Sequence, residues 1–135
     1  MPGVLVEASA LIALLDRDDA GHERCVEALG QVREPLSTVW PALTEAMHLL
    51  AEIPRAIDVL CDMVSDEALG LLDLDSSDMP RVKALMQKYR DLPMDFADAA
   101  LVRVAERERI TRILTLDRHF RIYQLPRRAR FAVLP

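Results

Sequence analysis

Cysteine, lysine and long apolar runs are scarce in this chain, and each scarcity excludes a class of protein. Two cysteines, Cys25 and Cys61, form no Cys-x-x-Cys pair, which argues against a disulfide framework or a zinc site. We expect both to be small buried hydrophobic residues. No apolar run approaches the length that spans a bilayer, and Glu7 interrupts the N-terminal stretch that a secretory signal would need. A cytoplasmic protein with no membrane association is therefore expected.

The scarcity of lysine leaves arginine as the main cation. Fifteen arginines accompany two lysines, and six of the arginines lie between Arg112 and Arg130, together with His119. The net charge of −5 argues against a general nucleic-acid coat. Because arginine suits bidentate phosphate contacts, an acidic body with this basic C-terminal rim could still hold a polyanion locally.

Short apolar runs alternate with amphipathic segments, which predicts one α/β domain over residues 1–135 with a mainly parallel sheet of about five strands flanked by helices. The chain is 51% hydrophobic and 29% charged, as in an ordinary globular domain. On the second helix, Cys25, Val26 and Leu29 are the predicted buried side. The predicted strands are 4–6, 35–39, 69–72, 113–116 and 131–134, and the predicted helices are 10–15, 20–32, 41–50, 54–64, 76–89 and a last one ending near 108.

Two carboxylates, Glu7 and Asp117, each follow an apolar strand directly. Two strands of one parallel sheet that end in acids place those acids on the same edge, where α/β sheets bind ligands. Asp98 heads an apolar helical stripe because Leu101 and Val102 follow it at spacings of three and four. A carboxylate on a buried side needs a partner, so we favour a site role for Asp98 and a helix cap for Asp95.

The remaining polar candidates are weaker. Glu45 lies roughly opposite its helix's apolar stripe, which is typical of a solvated surface residue, although the helix follows a strand. Ser9 and Thr38 are hydroxyls at similar points, and either could cap a helix or contact water at a site. Several carboxylates without Cys or His companions indicate a hard cation such as Mg²⁺ or Mn²⁺. The natural chemistry is phosphodiester hydrolysis.

Four stretches in this order resemble PIN-domain proteins, and specifically the VapC-type toxins of bacterial type II toxin–antitoxin pairs. The resemblance covers nearly the whole chain. The stretches are Val4-Leu5-Val6-Glu7-Ala8-Ser9 with the apolar run to Leu15, Thr44-Glu45-Ala46, Met94-Asp95-Phe96-Ala97-Asp98-Ala99-Ala100-Leu101, and Ile113-Leu114-Thr115-Leu116-Asp117-Arg118-His119-Phe120.

The resemblance implies a three-layer Rossmann-like PIN domain that cuts RNA endonucleolytically with Mg²⁺ or Mn²⁺. It implies that Glu7 and Asp98 carry the metal and that Glu45 and Asp117 complete the acidic set, by binding a second ion or orienting the attacking water. A homodimer and a cognate VapB-like antitoxin are also implied. For the antitoxin we expect an exposed apolar groove between helices, near residues 53–64. The candidate RNA contacts are Ser9, Thr38, Arg112, Arg118, His119 and Arg121, each of which could instead be ordinary surface or capping chemistry.

Glu7 departs from the resemblance, because the family usually has aspartate at this position. The extra methylene moves the carboxylate outward, and active sites tolerate only about 0.5 Å of misplacement. Three outcomes are open: a shifted but working metal site, metal binding without cleavage, or a deliberately weakened variant. The alternative function is therefore a catalytically weakened PIN module that binds metal, RNA or a protein partner, and a third is a metal-dependent DNase or phosphatase.

Overall fold

A computed structural model describes residues 3–135 as a five-stranded parallel sheet with helices on both faces. The strand order is β3-β2-β1-β4-β5, and every neighbouring pair is parallel. The predicted fold class is thus confirmed. The strands are β1 (Val4–Val6), β2 (Leu36–Thr38), β3 (Leu69–Leu71), β4 (Arg112–Leu114) and β5 (Ala132–Leu134); the helices are α1 (Ala8–Leu15), α2 (His22–Gly30), α3 (Trp40–Leu49), α4 (Pro54–Ser65), α5 (Met79–Lys88) and α6 (Phe96–Glu108).

Two apolar cores, one on each face of the sheet, hold the helices in place. α5 and α6 pack on one face, where Leu5 and Ile113 point from the central strands. On the other face α1, α2 and α4 cover Val4, Val6 and Leu114. The central strands are buried on both sides, which explains why they are continuous apolar runs in the sequence. Among the described residues, no helix is both long enough and apolar enough to cross a membrane.

Local chemistry moves several predicted boundaries. α1 begins at Ala8, two residues earlier than predicted, because the Glu7 side chain caps it by accepting a hydrogen bond from the Ser9 N–H. β4 begins at Arg112 and ends at Leu114, so Thr115 and Leu116 lie beyond the strand. β2 and β5 are also shorter than predicted.

Two predictions about burial are wrong. Cys61 is exposed on α4, whereas Cys25 is buried as expected. Val26 is 46% exposed, because one residue along a helix rotates the side chain by about 100° away from the buried Cys25. Leu29 is only half-buried. The short helix α2 therefore presents a narrower apolar side than the sequence pattern indicates.

Candidate metal centre

The carboxyl ends of β1 and β4 bring two predicted acids to one edge of the sheet. The strands are parallel neighbours, with Val6 opposite Leu114. Glu7 follows β1, and its N–H donates to the Leu114 carbonyl at 3.0 Å, so the acid lies just beyond the last strand pair. Asp117 follows β4 by three residues and caps a short 3₁₀ helix (Arg118–Arg121), because its Oδ1 accepts from the His119 N–H at 2.9 Å.

Helix α6 contributes the third acid. Asp98 lies in the first turn of α6, and its N–H donates to the capping carboxylate of Asp95 at 2.9 Å. The cap predicted for Asp95 is thus confirmed. One carboxylate oxygen each from Glu7, Asp98 and Asp117 lie within 4.8 Å of one another. The structure therefore brings three of the four predicted acids into a single cluster, which we call the acidic triad.

Glu45 lies outside the acidic triad but close to it. It is half-buried on α3 and lines a shallow cavity of about 520 Å³ together with Asp95 and the exposed rings of Trp40 and Phe96. Burial raises the pKa of Glu45, and the charges of Asp95, Glu7 and Asp117 raise that pKa further. Glu45 thus lies at the rim of the site, where the charges of Glu7 and Asp117 affect its pKa although it is not part of the triad.

The electrostatics of the acidic triad are those of self-repelling carboxylates. Asp98 is 7% exposed, and burial, followed by the charges of Asp95, Asp117 and Glu7, raises its pKa to about 7. Glu7 is 6% exposed; burial raises its pKa although hydrogen bonds from Ser9 and Thr115 act in the opposite direction. Without a cation, the triad would hold a proton near neutral pH.

Two hydroxyls, of Ser9 and Thr115, hold Glu7 from one side. Both donate to Glu7 Oε1, at 2.5 Å and 2.6 Å, and the Ser9 N–H donates to the same oxygen at 3.0 Å. The hydroxyls also accept in turn: Ser9 Oγ from the Leu116 N–H, and Thr115 Oγ1 from the Asp117 N–H, both at 2.9 Å. We call Ser9 and Thr115 the hydroxyl cradle. It ties the start of α1 to the loop after β4 and concentrates three donors on one oxygen of the longer Glu7 side chain.

The cradle includes a residue that the sequence interpretation missed. Thr115 has a weak signal, because it is a polar residue inside the apolar run 113–116. A second missed residue is the buried Tyr123, whose hydroxyl donates to Asp98 Oδ2 at 3.3 Å. Nothing in the local pattern distinguishes Tyr123 from an ordinary core aromatic residue.

The predicted RNA contacts divide between the two edges of the sheet. Arg118 and Arg121 are exposed and line a polar cavity of about 290 Å³ that also includes Asp117 and Arg24. His119 is half-buried, and its Nδ1 lies 3.2 Å from Asp117 Oδ1. These three residues lie on the same side as the acids.

Arg112 and Thr38 are placed differently from the prediction. Arg112 starts β4, opposite Val4, and pairs with Glu34. It therefore lies at the amino edge of the sheet rather than beside the acids. Thr38 is fully buried, and its hydroxyl donates to the Val6 carbonyl at 2.7 Å. A contact between Thr38 and RNA would require that bond to open.

The donor set of the triad fits a divalent hard cation. All three ligands are carboxylates, the type that Mg²⁺ and Mn²⁺ prefer. The cradle occupies Glu7 Oε1, whereas Glu7 Oε2 accepts no hydrogen bond from the described residues. Burial, and then the charges of Asp95, Asp117 and Glu7, raise the pKa of Asp98, and a bound cation would offset those charges.

Comparisons with known proteins agree with this architecture. The PIN domain family matches residues 4–124. Ribonuclease VapC26 of Mycobacterium tuberculosis (strain ATCC 25618 / H37Rv) is 28% identical over 136 residues, covering 98% of this chain and 100% of the relative.

Two solved structures share the fold at lower identity. VapC20 of Mycobacterium tuberculosis, a sarcin–ricin loop cleaving toxin, superposes with a TM-score of 0.78 at 17% identity, covering 85% of this chain and 90% of that one. PAE2754 of Pyrobaculum aerophilum gives a TM-score of 0.53 at 22% identity, covering 87% and 81%. The chain therefore belongs to the PIN-domain family and is similar to VapC-type members of it.

Proposed function

We propose that this protein is a metal-dependent endoribonuclease that acts as the toxin of a toxin–antitoxin pair. The observation that carries the proposal is the acidic triad, with oxygens of Glu7, Asp98 and Asp117 within 4.8 Å at the carboxyl edge of the sheet. The similarity to Ribonuclease VapC26 supports RNA as the substrate. The name of VapC20, a sarcin–ricin loop cleaving toxin, is consistent with structured RNA as the target.

In this proposal Glu7, Asp98 and Asp117 hold Mg²⁺ or Mn²⁺. The bound cation would lower the pKa of water and offset negative charge on the scissile phosphate. The cradle keeps Glu7 Oε1 occupied, so that the carboxylate presents one defined oxygen to the site. Glu45, on the rim with a raised pKa, is the candidate that orients the attacking water and accepts its proton.

The basic residues near Asp117 would bind the RNA backbone. Arg118, Arg121 and Arg24 line one cavity with Asp117, so their guanidinium groups can approach phosphates on either side of the scissile bond. His119 would add a further donor on this side when its contact with Asp117 opens. The net charge of −5 makes such local contacts necessary, because the remainder of the surface repels a polyanion.

The proposed partners are a VapB-like antitoxin and a second copy of this chain, in the cytoplasm. A cavity of about 520 Å³ lies between the end of α1 and the start of α4, in the region predicted for the antitoxin. Its lining contains charged as well as apolar side chains, whereas the prediction was an apolar groove. The proposed partner would therefore carry charged groups that pair with this lining. The lining residues are Leu15, Asp16, Arg17, Asp18, Ile53, Arg55, Ala56 and Val59.

The first test is cleavage of a mixed structured RNA pool with added Mn²⁺ or Mg²⁺, against the same reaction in chelator. We expect the RNA to be cut only when metal is added. An Asp98→Asn preparation, purified in parallel, controls for contaminating nuclease. Cuts that persist in chelator or in the Asp98→Asn preparation would contradict the proposal.

A weakened PIN module is the second candidate, favoured specifically by Glu7. Two results would identify it. The native protein would bind RNA in the presence of metal without cutting it, and Glu7→Asp would cleave RNA at unchanged RNA affinity. Equal competition of DNA with RNA for the active protein would instead indicate a less selective phosphodiesterase. For the endoribonuclease we expect DNA to compete poorly.

A further inference from the structure

Tyr123 is the only phenol that forms a hydrogen bond with the acidic triad among residues 3–135. The chain has two tyrosines, and Tyr123 is fully buried. Its hydroxyl donates to Asp98 Oδ2 at 3.3 Å. Among the described residues this is the only hydrogen bond that the Asp98 carboxylate accepts. Whereas three donors hold Glu7, the orientation of Asp98 depends on a single phenol.

The ring of Tyr123 is fixed by its neighbours. Tyr89 and Phe120 each meet it edge-on, with ring centroids 5.0 Å away. The backbone N–H of Tyr123 donates to the His119 carbonyl at 3.1 Å. A ring enclosed in this way has little freedom, so its hydroxyl stays directed at Asp98.

The segment that carries Tyr123 also carries one of the acids. Asp117 caps the 3₁₀ helix that leads to Tyr123. One stretch of seven residues, 117–123, thus supplies a carboxylate of the triad at its start and a donor to a second carboxylate at its end. This segment therefore links the Asp117 end of the triad to Asp98 on α6 through the Tyr123 hydroxyl.

The Tyr123 phenol donates this hydrogen bond, and the carboxylate of a metal-bound Asp98 would be ionised and could only accept it.

We propose that Tyr123 is a positioning residue for the metal centre, which fixes one oxygen of Asp98 and so holds the other for the divalent cation. This role rests on the proposed metal site. Removal of a group that hydrogen-bonds to a metal ligand typically weakens the affinity for the metal by about 10–100-fold. Because 3.3 Å is long for a hydroxyl donor, we expect the lower end of that range.

The test compares Tyr123→Phe with Tyr89→Phe by titration with Mn²⁺, in which free Mn²⁺ is measured by electron paramagnetic resonance. Both variants keep the ring and remove one hydroxyl from the same aromatic cluster. The Tyr89 hydroxyl accepts from the Gln124 N–H at 2.8 Å, and among the described residues it forms no hydrogen bond with an acid of the triad. We expect Tyr123→Phe to weaken Mn²⁺ affinity about tenfold and Tyr89→Phe to leave it unchanged. Thermal unfolding of both apo variants measures any general loss of stability.

The possible results separate this role from the proposed function. Native Mn²⁺ affinity in Tyr123→Phe, or equal weakening in both variants, would overturn the role of Tyr123 while the metal site stands. A native protein that binds no Mn²⁺ would overturn both.

A second measurement avoids dependence on the folding of Tyr123→Phe. With 3-fluorotyrosine at both positions, assigned through Tyr89→Phe, Mg²⁺ should shift the ¹⁹F resonance of Tyr123 and leave that of Tyr89 in place. Resonances that both stay fixed, or that shift together, would overturn the role.

Discussion

Two buried aspartates, one within helix α6 and one packed against it, have opposite electrostatic surroundings. Asp78, 2% exposed, accepts from Arg103 Nε at 2.8 Å and from Arg107 Nη1 at 3.0 Å, both on α6. Asp98, 7% exposed, lies in the first turn of α6 and meets Glu7 and Asp117 instead. No basic side chain in the part of the chain that the structure describes pairs with Asp98.

The pKa values follow the surroundings. A hydrogen bond from the Asp75 N–H and the contacts with Arg103 and Arg107 lower the pKa of Asp78, whereas the pKa of Asp98 rises to about 7. A buried charge with partners contributes to the structure, and a buried charge among like charges needs something that the protein itself does not supply. The contrast distinguishes a structural carboxylate that pairs with arginines of α6 from the carboxylate at the start of α6 that we propose to bind metal.

Neutralising Asp98 should cause the largest loss of function without any loss of stability. We expect Asp98→Asn to reduce metal-dependent RNA cleavage by at least about 100-fold, since losing a ligand should cost no less than losing a group behind one. The apo protein should be at least as stable as the native protein at pH 8, because one repelled charge is gone. Asp95→Asn, three residues earlier on the same helix start, is the matched control and should retain most activity. Equal loss in both variants would contradict a ligand role.

The pH dependence of stability should show the raised pKa of Asp98 directly. The folded protein keeps a proton on Asp98 up to about pH 7, whereas the unfolded chain releases it near 3.8. In chelator, this group therefore lowers the free energy of unfolding as the pH rises from about 4 to about 7, by the order of a few kcal/mol.

Thermal unfolding across that window measures the effect. Asp98→Asn should flatten the profile, and added Mn²⁺ should restore stability at the high-pH end. Asp78 contributes little here, because its stabilisation is lost only as the pH falls below about 3.8. A Tm that rises from pH 4 to pH 7 without metal would count against the repelling triad.

Neutralising Asp78 should have the converse result. We expect Asp78→Asn to lower the free energy of unfolding by about 2 kcal/mol, less than the about 3–5 kcal/mol of a wholly buried pair, because Arg103 and Arg107 are about a quarter exposed. Cleavage per folded molecule should be unchanged. Glu106→Gln, which breaks the pair between α6 and the Arg81 side chain, itself 42% exposed, should cost under about 1 kcal/mol. Denaturant unfolding of both variants decides whether Asp78 is the stronger structural contact.

Removing the cradle hydroxyl of Thr115 should have the smallest effect. Thr115→Val keeps the shape but removes the donor to Glu7 and leaves the Asp117 N–H without its partner. The expected cost is about 1 kcal/mol of stability with about tenfold weaker Mn²⁺ binding. Thr38→Val removes a buried hydroxyl from neighbouring β2, so it should cost similar stability at native Mn²⁺ affinity. Equal Mn²⁺ affinities of Thr115→Val and Thr38→Val would show that the cradle does not position Glu7.

The sequence predicts the parts of this comparison that depend on local periodicity. Continuous apolar strands indicate the parallel sheet, and an acid directly after a strand indicates its edge, so Glu7 and Asp117 could be placed together. The spacing of Asp98 from Leu101 and Val102 identifies its buried side. These inferences need only the geometry of one strand or one helix.

Contacts between distant parts of the chain could not be predicted in this way. The hydrogen bond from Thr115 to Glu7 depends on the register of β1 against β4, and that from Tyr123 to Asp98 on the path of the loop after β4. The pairing of Asp78 with Arg103 depends on how α5 and α6 pack. Arg112 is instructive, because nearness in sequence to Asp117 suggests a shared site, whereas β4 carries Arg112 to the opposite edge.

Two acids of the triad are also helix caps, so metal binding at the proposed site would act on backbone amides as well. Glu7 accepts from the Ser9 N–H, and Asp117 accepts from the His119 N–H. A cation bound to these carboxylates would weaken both caps by attracting their negative charge, whereas the order that it imposes on the loops would slow the opening of the same hydrogen bonds. Amide hydrogen exchange at Ser9 and His119 would report the balance without a labelled metal or an RNA substrate. The starts of two helices are thus built-in reporters of the state of the site.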